Sequence, residues 1–315
     1  MHPISQLLRL PGAASQARQL PAVGQPEEQR HPWVPALLLW AVFAVSLYGG
    51  AAPPASPGKK LIEYGWDVPT PAQMRDQLVA MEKRPFDGLI FRLSGGHNAF
   101  VTKPLEPASF AEDERILRNL QFTRFRDNFV LIWGSPPADF DWFNDSQWEA
   151  IEANARLLVD IAQAGRIRGI CFDPEPYDFS LWNYAKQPQA KAHTFAEYRA
   201  KVRQRGVQLM RAFEKPMPGA TILTFFHVSL YDRWATLPEA ERTERLARED
   251  WGLMPDFFVG MLEGASPKAR FIDGNENAYY YTSREQYFRA YHAIRERARS
   301  LVPPDLKEKY EQQVR

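Results

Sequence analysis

From Lys60 onward the chain alternates short apolar runs with segments whose apolar residues recur every three or four positions. The runs read as strands over residues 61–67, 89–93, 128–134, 168–173, 220–227, 256–263 and 270–273. Thr70-Pro71 opens the first helix, a capping residue followed by proline at the first helical position, and Met74, Leu78 and Met81 form its apolar stripe. Further helices are expected over 112–120, behind a capping box of Ser146 and Glu149, from Thr194 and Glu197 to about Phe213, over 237–249, and from Ser283 and Gln286 through Tyr287, Tyr291 and Ile294.

Apolar strands alternating with helices predict an α/β fold with a parallel sheet covered on both faces. Seven such strands in this length suit a (β/α)8 TIM-type barrel, with an open sheet as the alternative. No Gly-rich phosphate loop follows the first strand, which disfavours a nucleotide-binding sheet. An eighth strand is not visible. The tail from Pro303 to Tyr310 reads as the approach to another strand, so the expectation is a barrel lacking its last strand, either incomplete or truncated at its C-terminus.

Before the barrel segment, 60–315, the pattern changes. Residues 1–32 are a polar leader, 33–52 an apolar run with no charged side chain, and 53–59 a short linker holding Pro53, Pro54 and Pro57. The apolar run is short for a membrane span unless the Gly49–Ala52 stretch extends it, and it also fits a secretory signal with small residues suited to cleavage. A buried core helix is the alternative, disfavoured by the adjoining linker. The body is therefore expected outside the cytoplasm, secreted or anchored to the membrane by this segment.

Composition narrows the classes further. With 45% hydrophobic and 24% charged residues the chain is neither disordered nor fibrous. Outside the first 52 residues it carries 36 basic and 36 acidic side chains, so it offers no electrostatic footprint for nucleic acid. The single cysteine, Cys171, excludes an internal disulfide and any multi-thiolate metal site. Histidine spacing supports no metal, and no cofactor is expected.

In a barrel the chemistry gathers at the C-terminal ends of the strands. There the sequence delivers Trp66 and Asp67, then Arg92 and His97, then Trp133, then Asp173, Glu175 and Tyr177, then His227, then Glu263, and last Asp273 and Glu276 with Tyr279 close behind. Carboxylates and flat aromatic rings suit sugars: one carboxylic acid protonates the glycosidic oxygen, a second acts as nucleophile or activates water, and aromatic faces stack on pyranose rings. The most informative segment is Phe172-Asp173-Pro174-Glu175-Pro176-Tyr177. Two acids at i and i+2 point the same way at a strand end, and a negative neighbour raises the pKa of a general acid. The competing reading is a strand-end turn whose acids cap a helix or pair with arginine.

On these residues the chain resembles TIM-barrel glycoside hydrolases, which carry an acid/base Glu at the end of strand four, often as Asn-Glu-Pro, and a nucleophile Glu at the end of strand seven. Glu175-Pro176 matches the second half of that motif, with Pro174 in the place of Asn. Asp173 and Glu175 also resemble the strand-four pair of chitinase-like barrels, without their Gly- and Asp-rich approach. The resemblance is closest to hydrolase-type barrel proteins of bacteria. It implies Glu175 as general acid/base tuned by Asp173, and Glu276, Asp273 or Glu263 as the second carboxylate. Trp66, Asp67, Arg92, His97, Trp133, Tyr177, His227 and Tyr279 are then substrate-binding candidates, with Trp142, Trp182 and Trp234 as further platforms or packing residues. The expected partner is an oligo- or polysaccharide. The rival expectation is a non-catalytic carbohydrate-binding or envelope protein on the same fold, and a metal-dependent hydrolase is the third.

Overall fold

The computed structural model describes residues 59–65 and 68–315. The leader, the apolar segment 33–52, the linker to residue 58, and Trp66 and Asp67 lie outside the described residues. Six strands, β1 (Ile62–Glu63), β2 (Gly88–Phe91), β3 (Phe129–Trp133), β4 (Gly169–Asp173), β5 (Thr221–Thr224) and β6 (Arg270–Asp273), pair in chain order. Every pairing is parallel. Eight α-helices accompany them: α1 (Pro71–Met81), α2 (Ala111–Asn119), α3 (Asp145–Gln163), α4 (Phe195–Glu214), α5 (Glu239–Leu246), α6 (Met254–Gly264), α7 (Arg284–His292) and α8 (Lys307–Gln313).

Consecutive parallel strands joined by right-handed crossovers put their helices on one face of a sheet. The other face is left for a cavity, where the sequence pattern had implied cover on both. The sheet is curled into a half-barrel. Four strand intervals separate β1 from β5, about 19 Å in a flat sheet. Yet the Tyr64 ring, just past β1, lies 4.9 Å from the Phe225 ring just past β5. The register sets Trp133 beside Asp173 and Thr224 beside Asp273, so the strand ends share one rim. At the β6 edge Arg315 donates its N–H to the Phe271 carbonyl (2.8 Å) and accepts from Asp273 (2.9 Å), making a parallel bridge through Val314. The tail thus lies against β6 in a strand position.

The helix side of the sheet holds the aromatic core. Phe172 of β4 meets Phe100, Phe213 and Phe257 at about 6 Å between ring centres. Trp142 and Trp148 stack beside them at 5.4 Å. Trp142, Trp182 and Trp234 are all buried, so these three pack the interior and present no platform to solvent. Arg205, buried on α4, lies over the Trp148 ring and binds Asp145 and the Trp142 carbonyl, joining α4 to α3.

The residues read as a strand over 256–263 form α6 instead. A continuous apolar run does not distinguish a buried strand from a buried helix. Pro255 sits in the first helical turn. Phe257 to Leu262 are all buried, as expected for a helix apolar around its circumference. Helices α4 and α6 approach so closely that a Cβ on Gly206 would stand 2.1 Å from the Phe257 carbonyl oxygen, and one on Gly260 2.0 Å from that of Arg203. The predicted caps at Thr194 and Ser283 form complete boxes, as does Thr70 with Gln73. The third helix begins two residues earlier than its Ser146–Glu149 pattern indicates, because the Asn144 side chain accepts from the Gln147 N–H and caps it first. Among the described residues no helix is long and apolar enough to cross a membrane.

The close helix pair carries a direct expectation. Gly206→Ala and Gly260→Ala each force α4 and α6 apart and destabilise the fold by about 1–3 kcal/mol. Thermal unfolding should show both with a lowered Tm; unchanged midpoints would contradict the packing described.

Candidate functional site

Side chains alternate along β4, so Phe172 enters the helix-side core while Cys171 and Asp173 face the inside of the curl. Cys171 is fully buried, and desolvation pushes its thiol well above the ordinary range, which leaves it inert. Beyond Asp173 the chain turns through Pro174 and Pro176. Trp182, buried in the core, donates its indole N–H to the Pro174 carbonyl (2.7 Å) and holds the corner from behind. Asp173 Oδ1 accepts the Glu175 N–H (2.9 Å), and the Tyr177 N–H donates to Ser135 Oγ (3.0 Å). The corner is therefore fixed by its own backbone and by β3.

The Tyr177 hydroxyl lies 2.8 Å from Asp173 Oδ2 and 2.9 Å from Glu175 Oε2. A phenol has one hydrogen to donate, so the second short contact needs a proton on a carboxyl group. Asp173 is placed to hold it. At 1% exposure it is desolvated, which raises its pKa to about 7, with the Glu175 and Glu276 charges pushing the same way and hydrogen bonds from Glu175 N–H and Tyr177 opposing. Protonated Asp173 then donates to Tyr177, and Tyr177 to Glu175. Burial beside Asp173 and Glu175 drives the Tyr177 phenol far above its usual pKa, so it stays a donor.

Aromatic rings extend from this corner. Tyr177 is 44% exposed and packs 5.0 Å from Trp133, and Trp133 meets the His97 ring edge-on at 4.3 Å. Burial, helped by the Arg92 charge, lowers the His97 pKa to about 4, so this imidazole is neutral. Its Nε2 has no hydrogen-bond partner among the described residues. Asn98 donates from its side chain to the Ser135 carbonyl (2.5 Å) and ties the β2 loop to the β3 end.

The segment after β6 lies against the end of β5, the strand next to β4. Asn275 adopts a left-handed backbone (φ 44°), a conformation that asparagine tolerates well. It turns the chain into a 3-10 turn, Glu276–Tyr280, whose first N–H binds the Phe225 carbonyl (3.1 Å). A cavity of about 360 Å³ opens on the inner face, with Ile62, Ile90, Leu223, Tyr64, Glu276 and Tyr279 among its walls. Asp173 is coupled to this wall electrostatically. Glu276 raises its pKa, and desolvation together with Asp173 raises that of Tyr64. Tyr64 was not singled out in the sequence, although its place one alternation before Trp66 carries the signal.

The other candidates fall elsewhere. Asp273 opens onto a second cavity, where it accepts from Ser229 Oγ and from the Asn275 N–H (3.0 Å); burial raises its pKa to about 6. Glu263 belongs to the last turn of α6 and pairs with Arg203 of α4 at 2.7 Å, in the helical layer and not at a strand end. The reason is the helical identity of 256–263. His227 lies on the helix side among Phe258, Phe271 and Tyr310, because the chain leaves β5 at Thr224 and turns into a 3-10 segment that carries the imidazole outward. Desolvation there lowers its pKa to about 3. Among the described residues no three His, Cys, Asp or Glu side chains converge to hold a metal ion.

Comparison with known proteins gives no matching family model, no matching curated relative and no matching solved structure. The site is read from its own geometry.

Asp173 has a measurable signature. Its folded pKa is raised above the unfolded value, so its contribution to stability is complete below about pH 4 and lost as pH rises through 7, a loss of a few kcal/mol in order of magnitude. Asp173→Asn cannot ionise and escapes the loss. The Tm of the variant minus that of the wild type should increase from pH 4 to pH 8; a flat difference would contradict the buried, protonated carboxyl.

Proposed function

We propose that the protein acts on glycosidic bonds at the C-terminal rim of its curled sheet, and that this sheet belongs to the (β/α)8 TIM type. The observation that carries the reading is the Asp173–Tyr177–Glu175 proton triangle, with Glu276, on the wall of the inner cavity, in electrostatic reach of Asp173. Glu175 is the outer of the two β4 acids, 8% exposed against 1% for Asp173. The proton held at Asp173 passes to the Tyr177 oxygen as the Tyr177 hydroxyl gives its own hydrogen to Glu175, and Glu175 so protonated delivers it to the leaving oxygen, which leaves Asp173 ionised until it takes a proton back from solvent. Glu276, on the wall of the inner cavity, is the second carboxylate. Tyr64 and Tyr279 offer exposed ring faces on the cavity wall for pyranose stacking, and Tyr177 offers another over the β4 acids. Trp133 and His97 hold the Tyr177 ring from behind, and Arg92 lies next to them.

A second reading has its own support. Asp173 and Glu175 are nearly closed to solvent beneath Tyr177, as in a binding protein that retains the acids as structure. We also infer that residues 33–52 export or anchor the body, which places the catalytic rim outside the cytoplasm. Protease added to intact cells should then cut the body, and complete protection would overturn that placement.

The deciding assay measures turnover on aryl glycosides and a panel of polysaccharides. Glu175→Gln should keep the wild-type Tm and lose turnover by about 10²–10⁴-fold. Turnover equal to wild type removes Glu175 as the acid. Saturable glycan binding with no turnover by the wild-type protein on any substrate establishes the binding reading in its place.

A further inference from the structure

The second cavity, about 330 Å³, lies between the turn after β5 and helix α7. It shares Phe225 and Asn275 with the inner cavity, so the two hollows adjoin across one wall. Its chemistry differs. Three guanidinium groups line it, and they are not equivalent.

Arg297 is a brace: it binds Asp232 (2.8 Å from Nε) and donates to the Arg289 carbonyl (3.0 Å). Arg233 is stacked over Trp234, 4.4 Å from ring centre to guanidinium, and reaches its nearest carboxylate, Glu249, only at 3.9 Å. Arg289 lies within electrostatic reach of Glu285 on its own helix but forms no ion pair within 4 Å among the described residues. Two guanidinium forks, Arg233 from the turn after β5 and Arg289 from α7, therefore keep donors for a ligand in the cavity. Deeper in the cavity lie Asp273 with its Ser229 partner, and His227, 1% exposed, whose two ring nitrogens have no hydrogen-bond partner among the described residues. A buried polar ring without a partner normally costs free energy, and a ligand hydroxyl in the cavity would meet that need.

We propose that this cavity is a binding subsite for an acidic sugar, with Arg233 and Arg289 gripping a carboxylate while Ser229, Asp273 and His227 bind its hydroxyls. The assignment deepens the glycosidase reading, on which it rests, by naming a uronic-acid-type glycan as the substrate class. Guanidinium forks match a carboxylate in geometry. Three arginines against two aspartates, Asp232 and Asp273, leave one net positive charge on the walls, which suits a monoanion better than the dianion of a phosphate ester. The cavity volume accommodates one ring, and the shared Phe225–Asn275 wall places that ring next to the site holding Glu276.

The test is equilibrium binding of D-glucuronate to the full chain by calorimetry, with D-glucose and inorganic phosphate as comparison ligands. Glucuronate should bind saturably and more tightly than either. Arg233→Gln and Arg289→Gln, both at exposed or cavity-facing guanidiniums outside the core, should keep the wild-type Tm and raise its Kd at least fivefold. Glu175→Gln should leave that Kd unchanged. Absence of saturable glucuronate binding, binding no tighter than that of glucose or phosphate, or a Kd indifferent to both arginine substitutions would overturn the proposal. Turnover of neutral glycans without glucuronate binding would overturn this subsite alone. Glucuronate binding that depends on both arginines, in a protein that turns over no glycan, would overturn the hydrolytic reading alone.

Discussion

One phenolic hydrogen between two buried carboxyl groups is the constraint around which the strand-end rim is organised. Tyr177 cannot satisfy Asp173 and Glu175 at once unless one of them brings a proton of its own. Burial at the end of β4 makes Asp173 the group that does so, at a pH near neutrality. The remaining contacts of the corner serve that arrangement. Trp182 fixes the Pro174 carbonyl, Ser135 fixes the Tyr177 N–H, and the Trp133 and His97 rings brace the Tyr177 ring. An aspartate in water would ionise and leave Tyr177 to choose; here the structure keeps a proton in store two residues from the acid that would use it.

The sheet order determines where such a store can work. With strands added in chain order and parallel, the helices take one face and the inner face is left for a ligand. Curling brings the Tyr64 ring from one edge onto Phe225 from the fifth strand, and both line the inner hollow whose wall also holds Glu276. The same Phe225–Asn275 wall separates a largely apolar hollow that holds Glu276 from an arginine-lined one.

Much of this could be read in the sequence, and the failures have physical causes. Strand alternation located Asp173, Glu175 and Tyr177 at one strand end, and six of the seven apolar runs are strands. The seventh, 256–263, is a helix because burial on all sides erases the periodicity that tells the two apart. Glu263 moved with it into the helical layer. His227 was drawn onto the rim by a strand assumed to continue past Thr224; the chain turns there, and the ring joins the core. Trp142 and Trp182 resemble platforms in sequence because nothing local reveals that α3, α4 and α6 close over them. The proton triangle itself was invisible: residue types show that two acids are near, but only geometry shows that a single hydroxyl lies within 3 Å of both. Tyr64 was missed for a similar reason, since its partner lies four strands away.

The organisation of the rim depends most directly on the protonation of Asp173. Carboxyl carbons labelled with ¹³C and followed by NMR across pH 3–9 give the titration of that group, assigned by its disappearance in Asp173→Asn. An Asp173 resonance titrating near pH 7, and still well above pH 4 in Tyr177→Phe because burial is the main cause of the raised value, is the predicted result. An Asp173 resonance that titrates near pH 4 in both proteins would contradict the shared-proton corner and the function argued from it.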